Sequence, residues 1–142
     1  MYRFVIVLLL VIQAPAAAAA QTVYECRAQQ RNYASEFWSP FRNLIQPQMR
    51  FTVDGGSVVV DDPLLRSAKG GPIQGELVEN TEKKLVVRWD LVARGERGRQ
   101  ATMLFRASFL KQNSKLIVTQ AVSGSGTTFH ARGNCIALSG TG

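Results

Sequence analysis

Two cysteines, Cys26 and Cys135, stand near opposite ends of a chain of 142 residues. An even pair in an exported protein reads first as a disulfide. Such a bond would join the first structured segment to the last and turn a linear run of elements into a closed object. Closing a loop of about 100 residues is worth up to ~4.7 kcal/mol in the chain-entropy model. That is a large part of the roughly 5–15 kcal/mol by which a small domain is stable. The alternatives are two free thiols or a metal. Two cysteines and one histidine fall short of the four ligands of a structural zinc site, so neither a metal nor another cofactor is expected.

The redox compartment follows from the N-terminus. Met1-Tyr2-Arg3 is a short positive region, Phe4 to Ile12 is an apolar run, and Gln13-Ala14-Pro15 leads into alanines at 16–20. This is the layout of a cleaved signal peptide, and the apolar core is shorter than the about 20 residues that a spanning helix needs. Val23-Tyr24-Glu25 lacks the small apolar residues that precede a lipid-modified cysteine. We therefore expect a signal peptide over 1–20, a single β-barrel domain over 21–142, and a bacterial periplasmic or secreted address. Arg3 leaves with the leader, so 17 basic residues become 16 against 10 acidic ones, a net charge of +6. That charge favours acidic partners; the plainer reading is solubility alone.

Periodicity supplies the fold class. Over Lys83–Ala93, Leu85, Val87, Trp89 and Leu91 share one face. Over Arg99–Leu110 the same is true of Ala101, Met103, Phe105, Ala107 and Phe109. Period two over ten residues marks half-buried strands. Weaker strands are expected at Thr22–Ala28, Met49–Asp54, Ser57–Asp61, Gln74–Glu79, Lys115–Val122 and Thr128–Leu138, separated by turn residues such as Asp54-Gly55-Gly56 and Gln112-Asn113-Ser114. Eight strands at hairpin spacing imply an all-β, antiparallel up-and-down barrel, with both sulfurs on the apolar side. A two-sheet sandwich is the competing architecture. Within Tyr33–Ile45, Ser39-Pro40 is placed as an N-cap and first helical residue, and Phe37, Phe41, Leu44 and Ile45 recur at helical spacing. We expect a short helix there, after the first strand.

In a meander alternate connections lie at opposite ends. Short turns fall at one end, while the long connections Gln29–Gln48, Asp62–Ile73, Arg94–Gly98 and Ser123–Thr127 collect at the other. Long loops on a rigid scaffold are where function is usually placed. This end carries Arg31, Arg42, Arg66, Lys69, Arg94, Arg97 and Arg99 against Glu36, Asp62 and Glu96, or +4 of the +6. Arg94-Gly95-Glu96-Arg97-Gly98-Arg99 could clamp phosphate or carboxylate through its guanidiniums; a solvated turn is the plainer alternative. Phe37, Trp38 and Phe41 could gate a ligand or stack on a sugar, although a barrel-end plug is the simpler role. The candidate binding residues are therefore Arg66, Lys69, Arg94, Arg97, Arg99, Phe37, Trp38 and Phe41.

No catalytic residue is assigned. His130 falls on the strand face away from Cys135, with no nucleophile in a recognisable setting beside it, and no glycine-rich phosphate loop opens a helix. The chain resembles small exported bacterial barrels in general look, among them calycin-like carriers and inhibitors of lysozyme or proteases, without a diagnostic motif of any of them. The expected function is a non-catalytic exported binding module whose basic rim takes an anionic ligand, an envelope polymer or an acidic protein surface. No specific nucleic-acid partner is expected, the mature chain should lack a transmembrane span, and peripheral envelope contact is compatible. The alternatives are an inhibitor of a secreted or periplasmic hydrolase, and a lipocalin-like carrier of a small apolar ligand.

Overall fold

Residues whose side chains alternate between apolar and polar form eight strands: β1 (Thr22–Gln29), β2 (Gln48–Asp54), β3 (Ser57–Asp61), β4 (Ile73–Asn80), β5 (Lys84–Arg94), β6 (Gln100–Leu110), β7 (Lys115–Val122) and β8 (Thr128–Ser139). The computed structural model describes residues 20–29, 43–94 and 98–139. Each strand pairs antiparallel with its sequence neighbours, and β1 also pairs with β8. The result is a closed barrel, not a sandwich, and no sheet edge is left for a foreign strand to extend. Every strand lies within one residue of its expected bounds.

The seam between β1 and β8 is closed covalently. Cys26 lies directly opposite Cys135, the two are disulfide-bonded across 109 residues of sequence, and their Cα atoms are 4.0 Å apart. Two rungs away Ala28 faces Gly133. A Cβ added at Gly133 would overlap the backbone carbonyl of Arg27, so the strands can approach this closely only because that position is glycine.

The inward faces fill the barrel. Tyr24, Phe51, Trp89, Met103, Phe105, Phe109 and Phe129 all belong to one buried cluster. Trp89 stacks on Phe105 with ring centroids 5.3 Å apart and packs against Phe51 at 5.6 Å, while Tyr24 meets Phe109 edge-on at 5.5 Å. The indole Nε1 of Trp89 is buried without a hydrogen-bond acceptor. That costs about 1–3 kcal/mol. Burying 150–250 Å² of ring at ~25 cal/mol per Å² returns about 4–6 kcal/mol, so packing outweighs the lost bond. Eight strands leave an interior just wide enough for side chains to fill.

The short helix is α1 (Pro63–Lys69), between β3 and β4. The helix expected after β1 falls mostly on 30–42, outside the described residues. Of its span Asn43, Leu44 and Ile45 are described, and they are irregular in backbone. Among the described residues no helix is long and apolar enough to cross a membrane. The expected leader lies outside the described residues, Ala20 excepted.

Two outcomes test the seam. Cys26→Ala/Cys135→Ala, or reduction of the bond, should lower unfolding free energy in urea by up to ~5 kcal/mol, with the native fold as the reference. Gly133→Ala should cost about 1–3 kcal/mol or more through overpacking. An unchanged urea midpoint for that variant would show that the seam has room for a side chain.

Candidate functional site

Antiparallel neighbours put the connections 55–56, 81–83 and 111–114 at one end of the barrel, and those at 30–47, 62–72, 95–99 and 123–127 at the other. The long-connection end is closed by local chemistry. Asp62 caps α1: its Oδ1 accepts a hydrogen bond from the Leu65 N–H at 2.7 Å, and Pro63 follows as the first helical residue. Gly70 ends the helix at φ 81, a left-handed conformation that suits glycine. Leu65, about 1 % exposed, and Ile45, also about 1 %, seat the helix and the strand-entering loop on the core.

A polar residue inside the barrel ties that loop down. Gln120 is fully buried on the inward face of β7. Its Oε1 accepts from the Leu44 N–H at 2.7 Å, and its Nε2 lies 3.5 Å from the Met103 sulfur. The tether spans 76 positions of sequence. Periodicity alone would have marked position 120 as apolar, and the glutamine in an inward slot was the available signal.

Two adjacent carboxylates at the foot of α1 have opposite fates. Arg66 grips Asp61 with two hydrogen bonds, Nε–Oδ1 at 2.7 Å and Nη2–Oδ2 at 2.6 Å. This ion pair holds the Asp61 carboxyl below its ordinary value, with a smaller push from Arg50 and against a desolvation cost. Burial raises Asp62, although hydrogen bonds from the Leu65 and Leu64 backbone oppose the rise. Asp61 belongs to a ladder across the outer wall, in which Glu25, Arg50 and Asp61 lie in register and Arg50 pairs with Glu25. A groove of about 520 Å³ runs beside this ladder, lined by Glu25, Arg27, Arg50, Asp61, Asp62 and Arg66 among others. Its three arginines are matched by three carboxylates, so it carries no excess charge for an anion.

The sequence-derived candidates divide accordingly. Arg66 is committed to Asp61, although its side chain remains 64 % exposed. Lys69 is exposed in the last turn of α1, Arg94 ends β5 and Arg99 precedes β6, both exposed. None of Lys69, Arg94 and Arg99 has an acidic partner at ion-pair distance among the described residues. Arg97, Phe37, Trp38 and Phe41 lie outside the described residues. His130 is exposed on the outward face of β8, opposite Thr119.

A larger charge asymmetry runs along the chain than between the two ends of the barrel. Residues 21–96 hold ten bases and ten acids, whereas residues 97–142 hold six bases and no acid. The whole excess of +6 therefore comes from the last third of the chain. Because β6, β7 and β8 are consecutive neighbours in the barrel, this linear asymmetry becomes a wall without a carboxylate. The signal was legible in the sequence as the absence of Asp and Glu after Glu96.

Comparisons of this chain with protein-family models, with curated proteins and with solved structures found no match. Among the described residues no three His, Cys, Asp or Glu side chains converge as metal ligands would. What the arrangement offers chemically is charge recognition by guanidinium and ammonium groups at one end and along one wall.

Gln120→Leu should leave the Leu44 N–H without its acceptor and cost about 1–3 kcal/mol, with faster amide exchange at Leu44 as the local readout. For Asp61 the folded pKa is depressed, so the unfolded state binds more protons as pH falls through the acid range. Its stabilisation is present above the unfolded carboxylate value and lost below it. The stability gap between the wild type and Asp61→Asn, measured by urea unfolding, should therefore be open at neutral pH and narrow progressively as pH falls through the acid range.

Proposed function

We propose that this protein is an exported, non-catalytic binding module that takes an anionic partner at its long-connection end. One observation carries the reading. Lys69, Arg94 and Arg99 sit at successive connections of the same barrel end, exposed and without described acidic partners. A rigid barrel holds them at low ordering cost on binding, and arginine suits planar carboxylate, phosphate and sulfate groups.

The packed interior weighs against a carrier of an apolar ligand, since the stacked and edge-on rings occupy the space that a guest would need. Nothing observed favours the hydrolase-inhibitor reading over a general anion binder.

Heparin serves as the probe. The Arg94→Gln/Arg99→Gln double variant should bind labelled heparin roughly tenfold more weakly at low salt, and wild-type affinity should fall steeply as salt rises. Salt-insensitive binding, or a double variant that matches the wild type, would contradict the reading.

A further inference from the structure

Resting on the charge-recognition reading above, we infer that the partner is a linear polyanionic glycan that leaves the rim and lies along the outer wall of β6–β8 and the adjoining edge of β5.

The wall is built by register. Outward positions Arg88, Arg106, Thr119 and His130 form one row across β5, β6, β7 and β8. Ser108, Ile117 and Arg132 form the next row, and Lys115 with Asn134 the one beyond. Arg106, Lys115, His130 and Arg132 are all exposed. No carboxylate occurs on β6, β7 or β8, and Arg106, Lys115 and Arg132 have no ion-pair partner among the described residues.

Arg88 stands directly opposite Arg106. Like charges in that relation destabilise a sheet, and Arg88 has only a 3.7 Å approach from exposed Glu76 to offset the repulsion. A fold gains nothing from this placement; an anion lying over both guanidiniums would.

The dimensions favour a chain over a small ion. Arg94 and Gln100 form the rung six residues nearer the rim than Arg88 and Arg106, about 20 Å at ~3.4 Å per residue; exposed Asp90 lies between the two rungs on β5, so the track passes on the β6 side of it. Arg132 lies two residues further from the rim and two strands across, so the track runs ~30 Å in all. A single phosphate could meet only one part of it.

Other polyanionic surfaces fit less well. A bilayer interface is anchored by Trp and Tyr, and the outward positions of β5–β8 hold no Phe, Trp or Tyr. Their exposed apolar side chains are aliphatic, such as Val92, Leu104 and Ile117. Single-stranded nucleic acid is held by successive bases stacking on aromatic side chains, and the same positions offer one such ring, His130. A protein partner would place its anchor side chains in pockets, and a convex wall offers poor seats for them. Hydroxyl and amide groups at Ser108, Thr119 and Asn134 supply hydrogen bonds between the cations.

The test uses the full mature chain with two heparin fragments, one long enough to span ~30 Å and one far too short. Arg106→Gln and Arg132→Gln should each weaken binding of the long fragment roughly fivefold at low salt. Each should also reduce the slope of log affinity against log salt by about one. The short fragment should be affected less than twofold, and Lys83→Gln, at the opposite end, should change neither. Unchanged thermal melting would confirm that these surface variants fold.

If both wall variants bind the long fragment as the wild type does while Arg94→Gln/Arg99→Gln is impaired, the wall track is overturned and the rim reading stands. If no variant is impaired, both fall. Equal losses for long and short fragments would overturn the track in favour of a discrete anion site. Losses confined to vesicles of anionic phospholipid, with heparin binding intact, would overturn the glycan as partner.

Discussion

The pairing of β1 with β8, locked by Cys26–Cys135, is the constraint on which the rest of the molecule hangs. Closure removes both free edges, fixes which faces point inward, and makes the parity of the connections meaningful. The same seam tolerates no side chain at Gly133, because β8 there lies against the Arg27 backbone. Covalent and steric terms thus act two rungs apart: the disulfide limits the unfolded ensemble, and the glycine permits the close approach in the folded one.

Charge is partitioned differently in space than a count over loops suggests. On the side of β1–β3 and α1, Arg66 and Arg50 are paired with Asp61 and Glu25, while Lys69 at the rim stays unpaired among the described residues. On β6–β8 there is no acid to pair with the bases. Exposed ion pairs contribute little stability, so the pairing on the first side matters more for cancelling charge than for holding the fold. The unpaired guanidiniums of the second side are the ones left to meet a solvent-borne anion.

Most of the architecture was legible because period-two alternation is a property of local sequence. The strands β5 and β6, with Leu85–Leu91 and Met103–Phe109 facing the core, announce themselves without reference to any neighbour. The helix α1 is faint in the sequence, although Asp62-Pro63 carries the same cap logic as Ser39-Pro40. With only seven residues and Leu65 as its buried side chain, it shows no amphipathic period to detect. Gln120 was invisible for another reason: its value lies in a partner 76 residues away. The commitment of Arg66 to Asp61 follows from the turn that α1 makes at Asp62, which is hidden wherever 62–72 is taken for a loop.

Backbone alternation, turn chemistry and the placement of two cysteines are written along the chain, and they suffice for a closed antiparallel barrel because strand pairing repeats one local rule eight times. Which cations stay available depends on distances between residues far apart in sequence. Only folding could bury Gln120 beneath Leu44 and set Arg88 beside Arg106, since each of these is a through-space relation that no local pattern encodes; the Arg66–Asp61 fork spans five residues and needs only the capped turn at Asp62.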